Sequence, residues 1–100
     1  TTEQKNEIYA SEADILNVSL FGMTAKQWRT ANPNKEGNIR DYASTIELAI
    51  LSNLEFYNSK LIEENMPPQT RLIILNNEAN KEKELFNKNN EKVLKITNNE

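Results

Sequence analysis

The sequence predicts an all-α fold, a small bundle of about four helices with a long C-terminal helix. Two glycines and three prolines among 100 residues are too few turn-forming residues for a β fold with many turns. Three segments begin with a Ser or Thr followed three residues later by a residue that suits the first helical turn. The apolar residues recur at steps of three and four, the period of a helix with one buried face.

The first two helices are short. A helix over about 11–20 begins with Ser11 as its N-cap, and Gly22 can supply its stop. The second helix begins at Thr24, which forms a capping-box pattern with Gln27. It should end before the Asn-Pro pair that follows, because the residue before proline resists the α region. A loop then leads to the third helix.

The third helix has the clearest pattern and should be central and mostly buried. It begins at the capping box of Ser44 and Glu47 and should end near Asn65. Its apolar stripe consists of Ile46, Ala49, Ile50, Leu54, Tyr57 and Leu61, and it is widened by Leu48, Leu51 and Ile62.

A fourth helix restarts at Pro67 and Pro68. Its heptad-like register is interrupted by two polar residues, Glu82 and Asn89, which disfavours a sustained coiled coil. We therefore divide the chain into a helical domain over 1–76 and a polar helical tail over 77–100 that is frayed or depends on a partner. Four apolar positions of the register form a candidate oligomer interface: Leu72, Leu75, Ala79 and Phe86.

The composition argues against an enzyme and against a cofactor. The chain has no Cys and no His, which excludes disulfide frameworks, zinc fingers, Cys nucleophiles and His general bases. Its carboxylate pairs are near neighbours in sequence, so they point apart on a helix and are expected to be solvated surface. The polar start lacks a signal peptide and no apolar run reaches about 18 residues, so we expect a cytoplasmic protein without a membrane span.

The net charge of −3 argues against a general nucleic-acid binder. One positive island nevertheless lies in residues 21–42. Its four cations are Lys26, Arg29, Lys35 and Arg40, and together they form a candidate surface for auxiliary contact with nucleic acid. Ordinary solvated surface is the alternative.

Residues 9–75 resemble the C-terminal region of KilA-N domain proteins of bacteria and phages. The resemblance rests on Tyr-Ala-Ser-Glu-Ala-Asp at 9–14, Leu-Asn-Val-Ser-Leu-Phe-Gly-Met-Thr-Ala-Lys-Gln-Trp-Arg at 16–29, Asn-Pro at 32–33, Gly-Asn-Ile-Arg-Asp-Tyr-Ala-Ser at 37–44 and Leu-Ser-Asn-Leu-Glu at 51–55. It implies a phage antirepressor-like regulator whose DNA-binding domain lies upstream. This region would then be an accessory module that self-associates or binds a protein partner such as a repressor.

Two clusters are candidate partner-binding residues. In the first, Arg40 would anchor a carboxylate or phosphate, with Asn38 and Asp41 orienting it and Tyr42 beside it. The structural alternative is that these residues tie their loop to a helix end, as polar groups in loops usually do. The second cluster is an aromatic-cation pair common at interfaces, Trp28 and Arg29; the alternative places Trp28 in the core beside Phe21 and Ile39.

Overall fold

The fold is all-α, as predicted. The computed structural model describes the backbone of residues 11–98 and the side chains of residues 11–89. The elements are α1 (Glu12–Phe21), α2 (Ala25–Ala31), a short 3₁₀ helix (Ile39–Tyr42), α3 (Thr45–Glu63) and α4 (Pro68–Asn98). No strand occurs within the described backbone, and none of its helices is long and apolar enough to cross a membrane.

The predicted helix starts are confirmed at the level of single hydrogen bonds. The Ser11 hydroxyl accepts a bond from the backbone N–H three residues on, and Gly22 closes α1 in the left-handed conformation. Thr24 and Ser44 each form a complete capping box, which satisfies donors that the first helical turn would leave unpaired. These signals are local, so the sequence alone specifies them.

The core lies where α1, α3 and α4 pack together. Its most deeply buried side chains are Ile15 and Leu20 from α1, Ile50 and Leu54 from α3, and Leu75 from α4. Burying one such side chain stabilises a fold by roughly 1.5–3 kcal/mol. Two polar contacts between α3 and α4 show the relative direction of these helices. Arg71 and Glu82 bond to Asn58 and Asn53 respectively, so α3 and α4 run antiparallel.

The predicted buried stripe of α3 is wrong at four positions. Ala49 and Tyr57 are exposed, as are the widening positions Leu48 and Ile62, whereas Asn58 is buried. The reason lies in the neighbouring helices, because Asn58 bonds to side chains of α1 and α4 and thereby lies toward the core. The core-facing line of α3 is completed by Leu61 and the leucines that precede Asn58.

Helix α4 is continuous across residue 76, where the sequence suggested a boundary. Ala79 is fully buried in the main core, and Phe86 packs against it. The Lys83 ammonium donates a hydrogen bond of 2.7 Å to the carbonyl of Leu20, in the last turn of α1. Part of the predicted tail is therefore joined to the helical body.

Candidate functional site

Arg29 organises the loop that follows α2. Its guanidinium donates to the carbonyl of Asn32 at 3.1 Å and to the carbonyls of Lys35 and Gly37. The same group lies over the Trp28 ring, with its central carbon 4.9 Å from the ring centroid. The Arg29 guanidinium thus binds three backbone carbonyls at once, because its N–H groups are fixed in one plane and point in different directions.

Asn38 and Asp41 cap the 3₁₀ helix. The Asn38 side chain accepts from the backbone N–H of Arg40 at 2.9 Å, and the Asp41 carboxylate accepts from the backbone N–H of Asn38 at 2.7 Å. The predicted loop thus contains a third capping box, which the sequence pattern had not revealed. Its spacing, an Asn followed three residues later by Asp, was the available signal.

Arg40 and Tyr42 also bond within the chain. The Arg40 Nε lies 3.4 Å from the Asn17 side-chain oxygen of α1, and an Nη lies 3.7 Å from the Glu55 carboxylate of α3. The Tyr42 hydroxyl donates to the backbone carbonyl of Glu36 at 2.7 Å. These contacts are those of the structural alternative, and a role for the same residues in binding a partner stays a prediction.

The Trp28 indole is 8% exposed and lies beside the Tyr42 ring, with centroids 5.2 Å apart. Phe21 and Ile39 line the same shallow cleft, whose volume is about 200 Å³. The indole is thus largely covered, while Tyr42 is 52% exposed. A partner meeting this face would therefore contact the tyrosine more than the tryptophan.

Three of the four cations of the positive island contact other groups of the chain. Arg29 and Arg40 make the bonds described above, and the Lys35 ammonium lies 5.1 Å from the centroid of the Tyr42 ring. Lys26 is exposed. A phosphate approaching this island would compete with backbone carbonyls and with Glu55 for the two arginines.

A buried polar cluster that the sequence pattern did not predict joins three helices. Arg71 is 5% exposed, and its guanidinium binds both carboxylate oxygens of Glu12, at 2.5 and 3.1 Å. It also donates to the Asn58 side chain at 2.9 Å and to the Met66 carbonyl at 3.0 Å. Asn58 in turn donates to Glu12 at 2.8 Å. Through these bonds the cluster holds α1, α3 and α4 together.

A groove runs between α3 and the second half of α4, and we call it the α3/α4 groove. It consists of two adjoining clefts of about 370 and 250 Å³ that share Asn53 and Glu82. Its apolar lining residues are Phe56, Tyr57, Leu61, Leu85 and Phe86. Two of these are strongly exposed, Phe56 at 66% and Leu85 at 51%.

The groove carries a carboxylate with an altered titration. Partial burial raises the pKa of Glu82 above its ordinary value, and the carboxylate of Glu78 one turn earlier acts in the same direction. A hydrogen bond of 2.8 Å from the Asn53 amide opposes the rise. Glu82 therefore interrupts the heptad-like register because it pairs with a polar residue of α3.

The four candidate oligomer-interface residues do not share one surface. Leu75 and Ala79 are fully buried in the chain's own core, whereas Leu72 and Phe86 are partly buried against it. Among these four, Phe86 also lines the α3/α4 groove. An interface on α4 would therefore use Phe86 with neighbours that the heptad-like pattern did not select, notably Leu85.

The comparisons with known proteins add no family and no relative. No family model matches the chain, and no functionally described protein or solved structure matches it either. Among the described residues, no group of three acidic, His or Cys side chains could hold a metal ion. The geometry of the surfaces is therefore the basis for a functional assignment.

Proposed function

We propose that this chain is a non-catalytic interaction or oligomerisation module, which self-associates or binds a protein partner such as a repressor. The observation that carries the proposal is the α3/α4 groove, where exposed apolar side chains of two helices adjoin. Contiguous exposed apolar surface rimmed by polar groups is typical of protein-binding sites. Aromatic residues such as Phe56 and Tyr57 are enriched at such interfaces.

The proposal extends to a longer protein of which this chain would be one module. The resemblance to the C-terminal region of KilA-N proteins supports a module attached to a DNA-binding regulator of phage or bacterial type. Contact with DNA would then be made by another domain, while this module sets the assembly state or recruits the partner. On this proposal the protein acts in the cytoplasm, where its DNA target would lie.

Site-specific photocrosslinking tests the proposal. A photoreactive phenylalanine analogue replaces Phe56 in the groove, and in a matched control it replaces Ile73, which is 63% exposed on α4 outside the groove. Irradiation is carried out in cells that produce the full-length protein naturally. We expect position 56 to form a protein crosslink that position 73 does not form. Equal yields at both positions, or no protein crosslink at 56, would refute the proposal.

A further inference from the structure

We propose that the occupant of the α3/α4 groove is the C-terminal end of α4 from a second copy of this chain, in an antiparallel two-fold dimer. The inference rests on the proposed function and names the partner. Three features support it: the length of α4 relative to its neighbours, the charge of the groove, and the symmetry that the arrangement allows.

Helix α4 continues past the helices that pack against it. The Asn53–Glu82 bond fixes the antiparallel level of α3 and α4. Thr45, the first residue of α3, precedes Asn53 by eight positions and is therefore level with position 90 of α4. On the other side, Lys83 bonds to Leu20 one residue before α1 ends. The backbone of α4 nevertheless continues helically to Asn98, about 12 Å beyond the level of Thr45.

The projecting segment and the groove have complementary chemistry. Residues 91–98 read Glu-Lys-Val-Leu-Lys-Ile-Thr-Asn, with three aliphatic residues and two lysines against one glutamate. At the level that residues 91–98 reach, the groove offers Leu85 and Phe86 with the carboxylate of Glu82, and no cation among the described residues lines this cleft. An apolar, net basic helical segment and an apolar, net acidic groove attract each other both through burial and through charge.

A two-fold axis lets both copies use the same contact at once. If the axis passes between the two copies of α4, level with the midpoint of positions 88 and 89, facing positions of the two helices sum to 177. Residues 91–98 of one copy then lie opposite residues 79–86 of the other. In this register position 92 faces Leu85, one turn from Glu82, and positions 85 and 92 lie on the same side of α4 because seven residues are nearly two helical turns. The interface is isologous and closed, so it yields a dimer rather than a filament.

Solution mass with charge reversal provides the first test. We expect the full chain of 11.5 kDa to sediment as a dimer of about twice that mass. Either Glu82→Lys or Lys92→Glu should raise the dissociation constant about ten-fold, because each brings like charges close together across the contact. The double exchange should restore the wild-type value. Leu85→Lys should give a monomer, whereas the control Ile73→Lys should leave the mass unchanged.

Disulfide trapping provides a direct test of the register. The natural chain has no cysteine, so Leu85→Cys with Lys92→Cys introduces the only two. Within one helix these positions are about 10.5 Å apart, beyond the roughly 7 Å between Cα atoms that a disulfide can bridge. Oxidation should therefore link two chains, and each single-cysteine variant should link far less efficiently.

The outcomes separate this inference from the proposed function. A chain that stays monomeric at all concentrations, with no trapped dimer, overturns the second copy as occupant. If position 56 then crosslinks to a different protein, the module still binds partners, and only the identity of the occupant was wrong. A dimer insensitive to both charge reversals and to Leu85→Lys would place the contact elsewhere and would also overturn the inference.

Discussion

Arg71 shows how one buried charge can join three helices. Its guanidinium is bonded to Glu12, Asn58 and a backbone carbonyl, which satisfies most of its donors away from water. Removing one partner of a buried ion pair leaves the other charge uncompensated, which is usually costlier than the pair is stabilising. The consequence for this fold is a dependence on pH, because Glu12 must stay ionised to hold the cluster.

Acid should weaken the fold through Glu12. Hydrogen bonds from Arg71 lower the pKa of Glu12 below its ordinary value of 4.5, with Asn58 and the charge of Arg71 adding to the effect and partial burial opposing it. The stabilisation is therefore complete above about pH 4.5 and is lost as pH falls through the lower pKa of the folded state. We expect Glu12→Gln to reduce the fall in the free energy of unfolding at acid pH, measured by urea unfolding from pH 3 to 7.

Glu82 provides a contrast of opposite sign. Its pKa is raised in the fold, chiefly by burial, so its ionisation opposes folding as pH rises through the range above 4.5. The wild-type fold should therefore lose some stability as pH rises above about 4.5, and Glu82→Gln should abolish that loss without affecting the loss at acid pH. If both glutamine variants changed the free energy of unfolding over the same pH range and in the same direction, at least one of the two pKa shifts would be wrongly assigned.

Gly37 is the glycine whose replacement should be costly for a steric reason. Its φ is +83°, and a Cβ added there would overlap an oxygen of the Asp41 carboxylate, which caps the 3₁₀ helix. Gly22 has a similar φ of +79°, but a Cβ at that position would meet no atom within 4 Å. Both alanine variants should lose roughly 1 kcal/mol to backbone strain, and Gly37→Ala should lose more. Equal losses in chemical denaturation would show that Asp41 moves away freely.

At the scale of elements, capping should contribute measurably to α3. The Ser44 hydroxyl accepts from the backbone N–H of Glu47 at 3.1 Å, and the Glu47 carboxylate accepts from the Ser44 N–H at 2.9 Å. Ser44→Ala should lower the free energy of unfolding by about 1 kcal/mol. Ser52 is an exposed residue inside the same helix, so Ser52→Ala should be neutral or slightly stabilising. Similar losses in both variants would contradict a capping role.

The elements also show what the sequence could and could not predict. Helix starts at Ser11, Thr24 and Ser44 depend on bonds spanning three residues, so the local pattern was sufficient. The orientation of α3 depends on Asn58 meeting side chains 13 and 46 positions away, and a single-helix pattern overvalued Tyr57 instead. A polar residue at helical spacing from buried leucines was the signal that could have revealed the cluster.

The partner-binding candidates also have a structural use that the sequence could not separate from recognition. Arg29, Asn38 and Asp41 have the residue types of a recognition site, but the same donors and acceptors satisfy a loop that has few other partners. Composition cannot distinguish these uses because both need the same hydrogen bonds. The α3/α4 groove was missed because its two sides lie on different helices, and only their antiparallel packing brings Phe56 near Leu85.

At the scale of the whole molecule, two truncations test where the folded body ends. A chain ending at residue 76 would lose Ala79 and Phe86 from the core and the bond from Lys83 to α1. Native domains are stable by only about 5–15 kcal/mol, so these losses should unfold much of the chain. A chain ending at residue 89 keeps all three contacts. We expect circular dichroism to show cooperative thermal unfolding for the longer truncation and a largely lost transition for the shorter one.

The same pair of truncations separates folding from assembly. The chain ending at residue 89 lacks the segment proposed to enter the groove of a second copy, so it should fold cooperatively and sediment as a monomer. If the chain ending at residue 76 also unfolded cooperatively at the temperature of the full chain, the folded body would end at the predicted boundary, and Ala79 would contribute little. Because the two cuts remove different contacts, a loss of dimer without a loss of fold can come only from residues 90–100.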